Sequence, residues 1–304
     1  MRVVDIHHNL WPVLYGIKTF LKSPAVFGKE MLDDLKKDCS AKQGGLVWVA
    51  GLPKSGTTMI EEILDFSGYV QGNKSILRKF APYPLDHIHG VSHGHFKFFP
   101  KNKKTFVKTH THFDQKYMEI ASVYNPKIIV SIRDIRDMMV SRYFHIMSQQ
   151  SHWQHESLVC LSAMEGFKLS CVDRMNIESM RPIDYYHYWI SEWLLMAEKA
   201  DVLLVRYEDY LVNPHAYLDK IISYVESDID SLEVESKLES IRRRVVKYEQ
   251  LEDRRSMAGR TFSTYRKGGV SWKDFLDSKT LNWFVNELVT DDVLFKNRAD
   301  VFDK

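Results

Sequence analysis

Between Leu46 and Gly51 the chain reads Leu-Val-Trp-Val-Ala-Gly, an apolar run with no polar position that would mark a wet face. A short run of that kind, closed by turn residues, predicts a strand buried on both sides. Three further β-type runs follow, at Thr105–Thr109, Lys127–Ile132 and Asp201–Tyr207. Between them the apolar spacing becomes helical: after Thr57, where the chain reads Met59-Ile-Glu-Glu-Ile-Leu, after Asp134, after Pro182, and around Pro214–Val225. Strands alternating with helices predict parallel pairing through right-handed crossovers, hence an α/β fold with a central parallel sheet flanked by helices. In such sheets ligands collect at the carboxyl ends of the strands. Each predicted strand ends at residues able to bind an anion or do chemistry: the Gly51–Thr58 loop, Lys108 with His110, Arg133, and Tyr207.

No internal repeat, low-complexity tract or Pro/Gly/Ser-rich linker divides the 304 residues. The expectation is one domain over 1–304: a helical lead-in at 1–44, a motif-bearing core at 45–275, and a C-terminal helix and tail at 276–304. Lys and Arg number 42 against 40 Asp and Glu, which leaves no global field for nucleic acid or acidic lipid, so basic residues must act locally. Three cysteines without C-x-x-C spacing point to free thiols in a reducing compartment, the cytoplasm. The early apolar residues are broken by Pro12, Gly16 and Lys18, unlike a secretory leader, and no stretch has the length of a membrane span. Leu10, Trp11, Leu14, Ile17, Phe20 and Leu21 recur at helical spacing beside Lys18 and Lys22. They predict a helix packed on the domain; an interfacial membrane helix is the other reading.

The segment Gly51-Leu-Pro-Lys54-Ser55-Gly56-Thr57-Thr58 joins a predicted strand to a helix N-terminus, where backbone N–H groups and the helix dipole favour an anion. Its glycines have the Walker A spacing, yet Thr57 stands where that motif requires lysine, and Lys54 lies inside the loop. A P-loop kinase or nucleoside triphosphatase is therefore the weaker alternative. Lys108 and His110 are two apart at a strand end and project to one side, so a cation and a proton acceptor share a crevice. Isolated, that pair is more commonly a solvated lysine and a histidine satisfied by a nearby carbonyl. Arg133 and Ser141 can share one phosphate, with a structural ion pair from Arg133 to Asp134 or Asp137 as the competing assignment. Arg266-Lys267-Gly268-Gly269 sets two cations beside glycines that let backbone amides approach an anion. Histidines 87, 89, 93 and 95, with His110 and His112 beyond, raise a metal site, but they lack a recognised ligand spacing and read better as a loop over the acceptor.

Taken in order, these segments resemble the sulfotransferases that use 3′-phosphoadenosine-5′-phosphosulfate (PAPS), above all the cytosolic type. The resemblance rests on Pro53-Lys54-Ser55-Gly56-Thr57-Thr58, Lys108-Thr109-His110, Arg133 with Ser141, Arg206-Tyr207-Glu208-Asp209, and Arg266-Lys267-Gly268 ahead of Trp272-Lys273. It implies a P-loop-like sulfotransferase fold that moves a sulfuryl group to an acceptor hydroxyl on a small-molecule alcohol, phenol or sugar. It further implies that Ser55, Gly56, Thr57 and Thr58 hold the 5′-phosphate, Lys54 the bridging oxygen, and Lys108 the sulfuryl oxygens. His110 is then the general base; Arg133, Ser141, Arg266, Lys267 and Gly268 take the 3′-phosphate, and Tyr207 lines the nucleotide site. No metal is required. Two departures stand out: Met59 occupies the place of an adenine-stacking tryptophan, and Lys279–Glu287 lacks a clean dimerisation motif, which leaves the oligomeric state open. The aromatic segments Tyr83–Pro100, His145–Trp153 and Tyr185–Trp193 are expected to supply acceptor-pocket walls. A non-catalytic nucleotide-binding protein is a further alternative, opposed by the joint presence of Lys54, Lys108 and His110.

Overall fold

The computed structural model describes residues 45–71, 104–111, 113–150, 152–173, 181–198, 201–227, 235–236, 238–240, 243 and 271–289. The expected N-terminal helix, the histidines at 87–95 and Arg266–Gly268 lie outside the described residues. The first half comprises β1 (Leu46–Gly51), α1 (Thr57–Phe66), β2 (Val70–Gln71), β3 (Thr105–Thr109), α2 (Gln115–Tyr124), β4 (Lys127–Ile132) and α3 (Ile135–Ser148). It is followed by α4 (His155–Val159), α5 (Ala163–Val172), α6 (Pro182–Ala197), β5 (Val202–Arg206), α7 (Tyr207–Val212), α8 (Pro214–Val225), α9 (Trp272–Phe275) and α10 (Ser278–Val289).

All pairings are parallel and the strand order is β2-β3-β1-β4-β5. The unbroken apolar run is thus the middle strand, and every residue of β1 is buried. Its register sets Ala50 beside Thr109 and Gly51 beside Ser131, while Ile132 pairs with Arg206. The four strand ends therefore open on one edge, and the order reverses at β1, where ligand crevices form. Two details differ from the sequence reading. β2 is a two-residue strand too short for a periodic signal. Tyr207 does not close β5 but opens α7, because Arg206 is still extended and Glu208 and Asp209 suit a first helical turn.

Alternation along β1 supplies two cores. Trp48 and Ala50 face a layer built from α2, α3, α5, α6 and α10, whereas Val47 and Val49 face α1 and α8 through Ile60, Ile63, Leu218 and Ile222. Three buried indoles brace the carboxyl end of β3. Trp48 Nε1 donates to Thr109 Oγ1 at 2.8 Å, and Trp189 and Trp193 Nε1 donate to the Thr111 carbonyl at 3.0 and 3.2 Å. Their rings also meet one another, Trp48 edge-on to Trp193 with centroids 5.7 Å apart. Large apolar bodies fill the layer while each polar tip finds an acceptor, so burial leaves no indole N–H unpaired. The segment Lys279–Glu287 belongs to α10, whose Phe284 and Leu288 enter the core and whose Glu287 pairs with Arg181 at 2.5 Å.

The turn after α3 depends on a neutral histidine. His152 Nδ1 accepts the Gln154 N–H at 3.1 Å, and the Gln154 side chain in turn accepts from the buried Arg142 guanidinium at 2.5 Å. Burial, reinforced by Arg142 and His155, lowers the His152 pKa from 6.5 to about 4. A histidine held neutral by the fold contributes stability above its unfolded value that is lost as pH falls toward the folded one. The melting temperature is therefore expected to drop between pH 6.5 and about 4, and His152→Asn, which keeps an acceptor but no proton site, to flatten that limb. Melting curves of both proteins across this range test it; identical slopes would refute the assignment.

Candidate active site

The site begins where β1 runs out of room. A Cβ on Gly51 would lie 2.3 Å from Thr57 Cγ2, 2.9 Å from Ser55 Oγ and 3.1 Å from Ser131 Cβ, so only glycine lets these segments converge. Ser55 closes the turn by donating both its N–H and its hydroxyl to the Leu52 carbonyl, at 3.1 and 2.8 Å. From the next strand, Ser131 Oγ donates to the Ser55 carbonyl at 2.7 Å. So clamped, the loop holds Lys54 at φ 76° and Gly56 at φ 96°. A left-handed lysine costs roughly 1–2 kcal/mol and persists only where the surroundings over-determine it. Gly56 then starts α1 without a capping side chain, and Thr57, Thr58 and Met59 bring no acid to the first turn. The Met59 N–H turns back to the Gly56 carbonyl at 3.0 Å, and the N–H groups ahead of it, at the positive end of the helix dipole, suit an external anion.

The wall opposite is Tyr207. A Cβ on Gly56 would meet Tyr207 Cδ2 at 2.5 Å, so the ring lies close against the loop. Arg133 stacks on that ring, its Cζ 4.6 Å from the centroid, and Nη1 donates to the Lys54 carbonyl at 3.3 Å. Its Nε is buried and has no hydrogen-bond partner among the described residues. The structural ion pair considered for Arg133 is made by Arg136 instead, whose Nη2 lies 2.6 Å from Asp134 Oδ2. Asp137 accepts the Trp272 N–H at 2.9 Å, and the Arg136 guanidinium lies 4.1 Å from the Trp272 ring centroid. That clip fastens α9 to the start of α3. Glu208 accepts the Asp134 N–H at 2.9 Å, while its other oxygen is buried and lacks a hydrogen-bond partner among the described residues. Burial raises the Glu208 pKa, opposed by that N–H and by Arg206 and Arg133.

On the other flank, His110 is buried with Nδ1 on the Gly51 carbonyl. A carbonyl accepts only, so the shared proton is on Nδ1 and the neutral ring carries its lone pair on Nε2. Lys108 is not the solvated lysine its isolated motif suggests; its Nζ sits 2.9 Å from Glu61 Oε2 on α1. Ser141 is half-buried on α3, ~9 Å along the axis from Ile135. The structure therefore joins Lys54, Ser55, Gly56, Thr57, Arg133 and Tyr207 in one constellation, with Lys108 and His110 at the neighbouring strand end. Met59 is buried with Ile60, Ile63 and Leu64, so its thioether packs helix against sheet. The aromatic segment Tyr185–Trp193 is largely core too: Tyr185, Tyr186, Trp189 and Trp193 are buried, and Tyr188 is exposed.

Sequence reasoning missed Ser131, Glu61 and Glu208. Ser131 did carry a signal, as the polar residue of an otherwise apolar strand next to Arg133. Glu208 stood within the quoted Arg206–Asp209 motif without a role of its own, and Glu61 carried no signal, since its partner Lys108 lies 47 residues away. Among the described residues no group of three or more His, Cys, Asp or Glu could hold a metal ion, and no helix is long and apolar enough to cross a membrane.

A family model described as the sulfotransferase domain matches residues 45–287. The chain belongs to the sulfotransferase family. A curated mouse relative, sulfotransferase 1 family member D1, is 27% identical over 189 residues, and the match spans 60% of this chain and 59% of that relative. Among solved structures, mouse sulfotransferase SULT7A1 complexed with PAP aligns at 18% identity with a TM-score of 0.56, covering 87% of this chain and 89% of the other. Retinol dehydratase in a complex with retinol and PAP aligns at 17% identity with a TM-score of 0.50, covering 87% of each. At those identities the two structures establish the fold of this sulfotransferase-family chain, a P-loop-like parallel sheet between helical layers.

Gly56→Ala combines a left-handed backbone with the Tyr207 contact, and is expected to cost about 2–3 kcal/mol of stability. Tyr207→Ala in that background should return only the steric part. Urea unfolding of the unaltered protein, Gly56→Ala and the double variant checks this; an unchanged Gly56→Ala midpoint would refute the strained-loop geometry.

Proposed function

We propose that this chain transfers a sulfuryl group from PAPS to the hydroxyl of a small-molecule alcohol, phenol or sugar. The observation that carries the reading is the joining of an acid–base imidazole to the anion loop: His110 Nδ1 bonds to the carbonyl of Gly51, the last residue before the turn. That bond directs the basic Nε2 lone pair away from the sheet, the requirement for a group that takes a proton from an acceptor hydroxyl. The loop fits a nucleotide donor rather than a triphosphate held by a Walker lysine. It has a left-handed turn, an uncapped helix N-terminus and Lys54 within it. The Arg133 Nε on the Tyr207 wall, with no hydrogen-bond partner among the described residues, fits a second phosphate on the same nucleotide.

When bound, the donor supplies the activated sulfuryl group and a nucleotide bisphosphate as leaving group. The Gly56, Thr57 and Thr58 amides, with the threonine hydroxyls, hold its 5′-phosphate while Ser55 braces the turn on the Leu52 carbonyl, and Lys54 offsets charge developing on the bridging oxygen as the sulfur–oxygen bond breaks. Lys108 stabilises the sulfuryl oxygens, and His110 Nε2 keeps the proton released by the attacking hydroxyl. Arg133 and Ser141 take the 3′-phosphate together with Arg266, Lys267 and the Gly268 backbone, which precede Ser271 by a few residues. Positioning and fixed positive charge do the catalytic work, without a metal. Cys160 and Cys171 form no disulfide, which suits a reducing cytoplasm.

Calorimetric titration with 3′-phosphoadenosine-5′-phosphate (PAP), with ATP as control, tests the donor. Tight metal-independent PAP binding that ATP cannot match is expected; a preference for magnesium-ATP would favour the kinase reading. Lys54→Ala and His110→Ala are each expected to lower turnover by roughly 100-fold or more, whereas Arg266→Ala mainly raises the donor KM. Near-wild-type turnover of His110→Ala across several acceptors and pH values would refute the general base.

A further inference from the structure

Lys108 and Glu61 meet across the gap between sheet and helix. In β3, Phe106 joins the core under α1, and Lys108, two residues on, projects to the same face. There its ammonium reaches Glu61 Oε2 at 2.9 Å, with only 12% of the lysine side chain and 18% of the glutamate side chain exposed. Glu61 follows Thr57 by four residues on α1, so it sits one turn, ~6 Å, behind the helix N-terminus that faces the anion. A cation held at that depth is engaged by a carboxylate and drawn back from the mouth of the cradle. Partial burial shields the pair from salt and keeps its attraction above that of an open surface pair.

Resting on the sulfotransferase reading above, we propose that Glu61 is a positioning residue that parks Lys108 in the ligand-free protein and competes with the donor for it. The physical basis is exchange of one anionic partner for another. The Lys108 ammonium leaves a fixed carboxylate and turns to the anionic groups brought into the loop, so part of its attraction is spent on breaking the parked pair. Product release benefits from the same competition, since the carboxylate recaptures the lysine as the nucleotide leaves.

Glu61→Gln removes the charge with little change in shape. It is expected to tighten PAP about five-fold and to lower the donor KM by a similar factor. In a Lys108→Met background the same substitution should change PAP affinity by less than about two-fold. A merely structural glutamate predicts unchanged or weaker binding in Glu61→Gln, and that result overturns the proposal. So does tightening that persists without Lys108. Melting temperatures of the two single variants and the double, without ligand, give a separate readout. Losses that fail to add support the parked pair, and additive losses overturn it whether or not PAP binds. Absence of PAP binding by the unaltered protein would instead strike the donor assignment.

Discussion

The missing side chain of Gly51 is the constraint on which the rest of the site depends. Because nothing projects from that residue, Thr57, Ser55 and Ser131 close to within 2.3–3.1 Å of where a Cβ would stand. The same residue's carbonyl holds His110. One backbone position thus sets the entry angle of the anion loop, the docking of that loop on the neighbouring strand, and the orientation of the imidazole. A methyl group there would disturb all three, since the atoms it meets belong to a helix start and to a paired strand rather than to a flexible tip.

Around that junction the charges are arranged asymmetrically. The loop side carries α1 amides that no side chain caps, Lys54, and Arg133 over the Tyr207 ring. The carboxylates stand one step back. Glu208 supports the start of α3 through the Asp134 N–H, Asp134 is occupied by Arg136, and Glu61 is occupied by Lys108. An anion entering the cradle therefore meets positive potential first, in a crevice whose walls are buried sheet and helix and where such attractions are little screened. The carboxylates engage Lys108 and Arg136, while Arg133 Nε keeps no hydrogen-bond partner among the described residues.

Much of the architecture was legible because it is local. A six-residue apolar strand, its neighbours and the helices between them announce themselves through spacing, and their bounds differ from the sequence reading by a residue or less at β5. The glycine spacing located the loop, and the lysine inside it set it apart from a triphosphate site. What remained hidden are pairings between distant segments. Lys108 meets Glu61 only once α1 lies across β3, and the aromatic run Tyr185–Trp193, read as pocket wall, became core because the sheet offers its Trp48 face to α6. Met59 likewise turned inward, since the helical period that makes α1 amphipathic sends that position to the sheet. Periodicity shows that a residue faces something, but not what it faces.

The indole brace at Thr109–Thr111 couples two properties that are ordinarily selected apart. Trp48 holds the Thr109 hydroxyl, and Trp189 and Trp193 hold the Thr111 carbonyl, so indole N–H groups fix the residues on either side of His110. Random variation at these tryptophans would register as impaired catalysis as well as impaired folding, even in proteins that still assemble. Compensating substitutions elsewhere in the core could restore the lost packing volume, but not a donor aimed at a particular carbonyl. Under the proposed function the general base inherits the mutational fragility of the interior, and drift in the hydrophobic layer is drift in the chemistry.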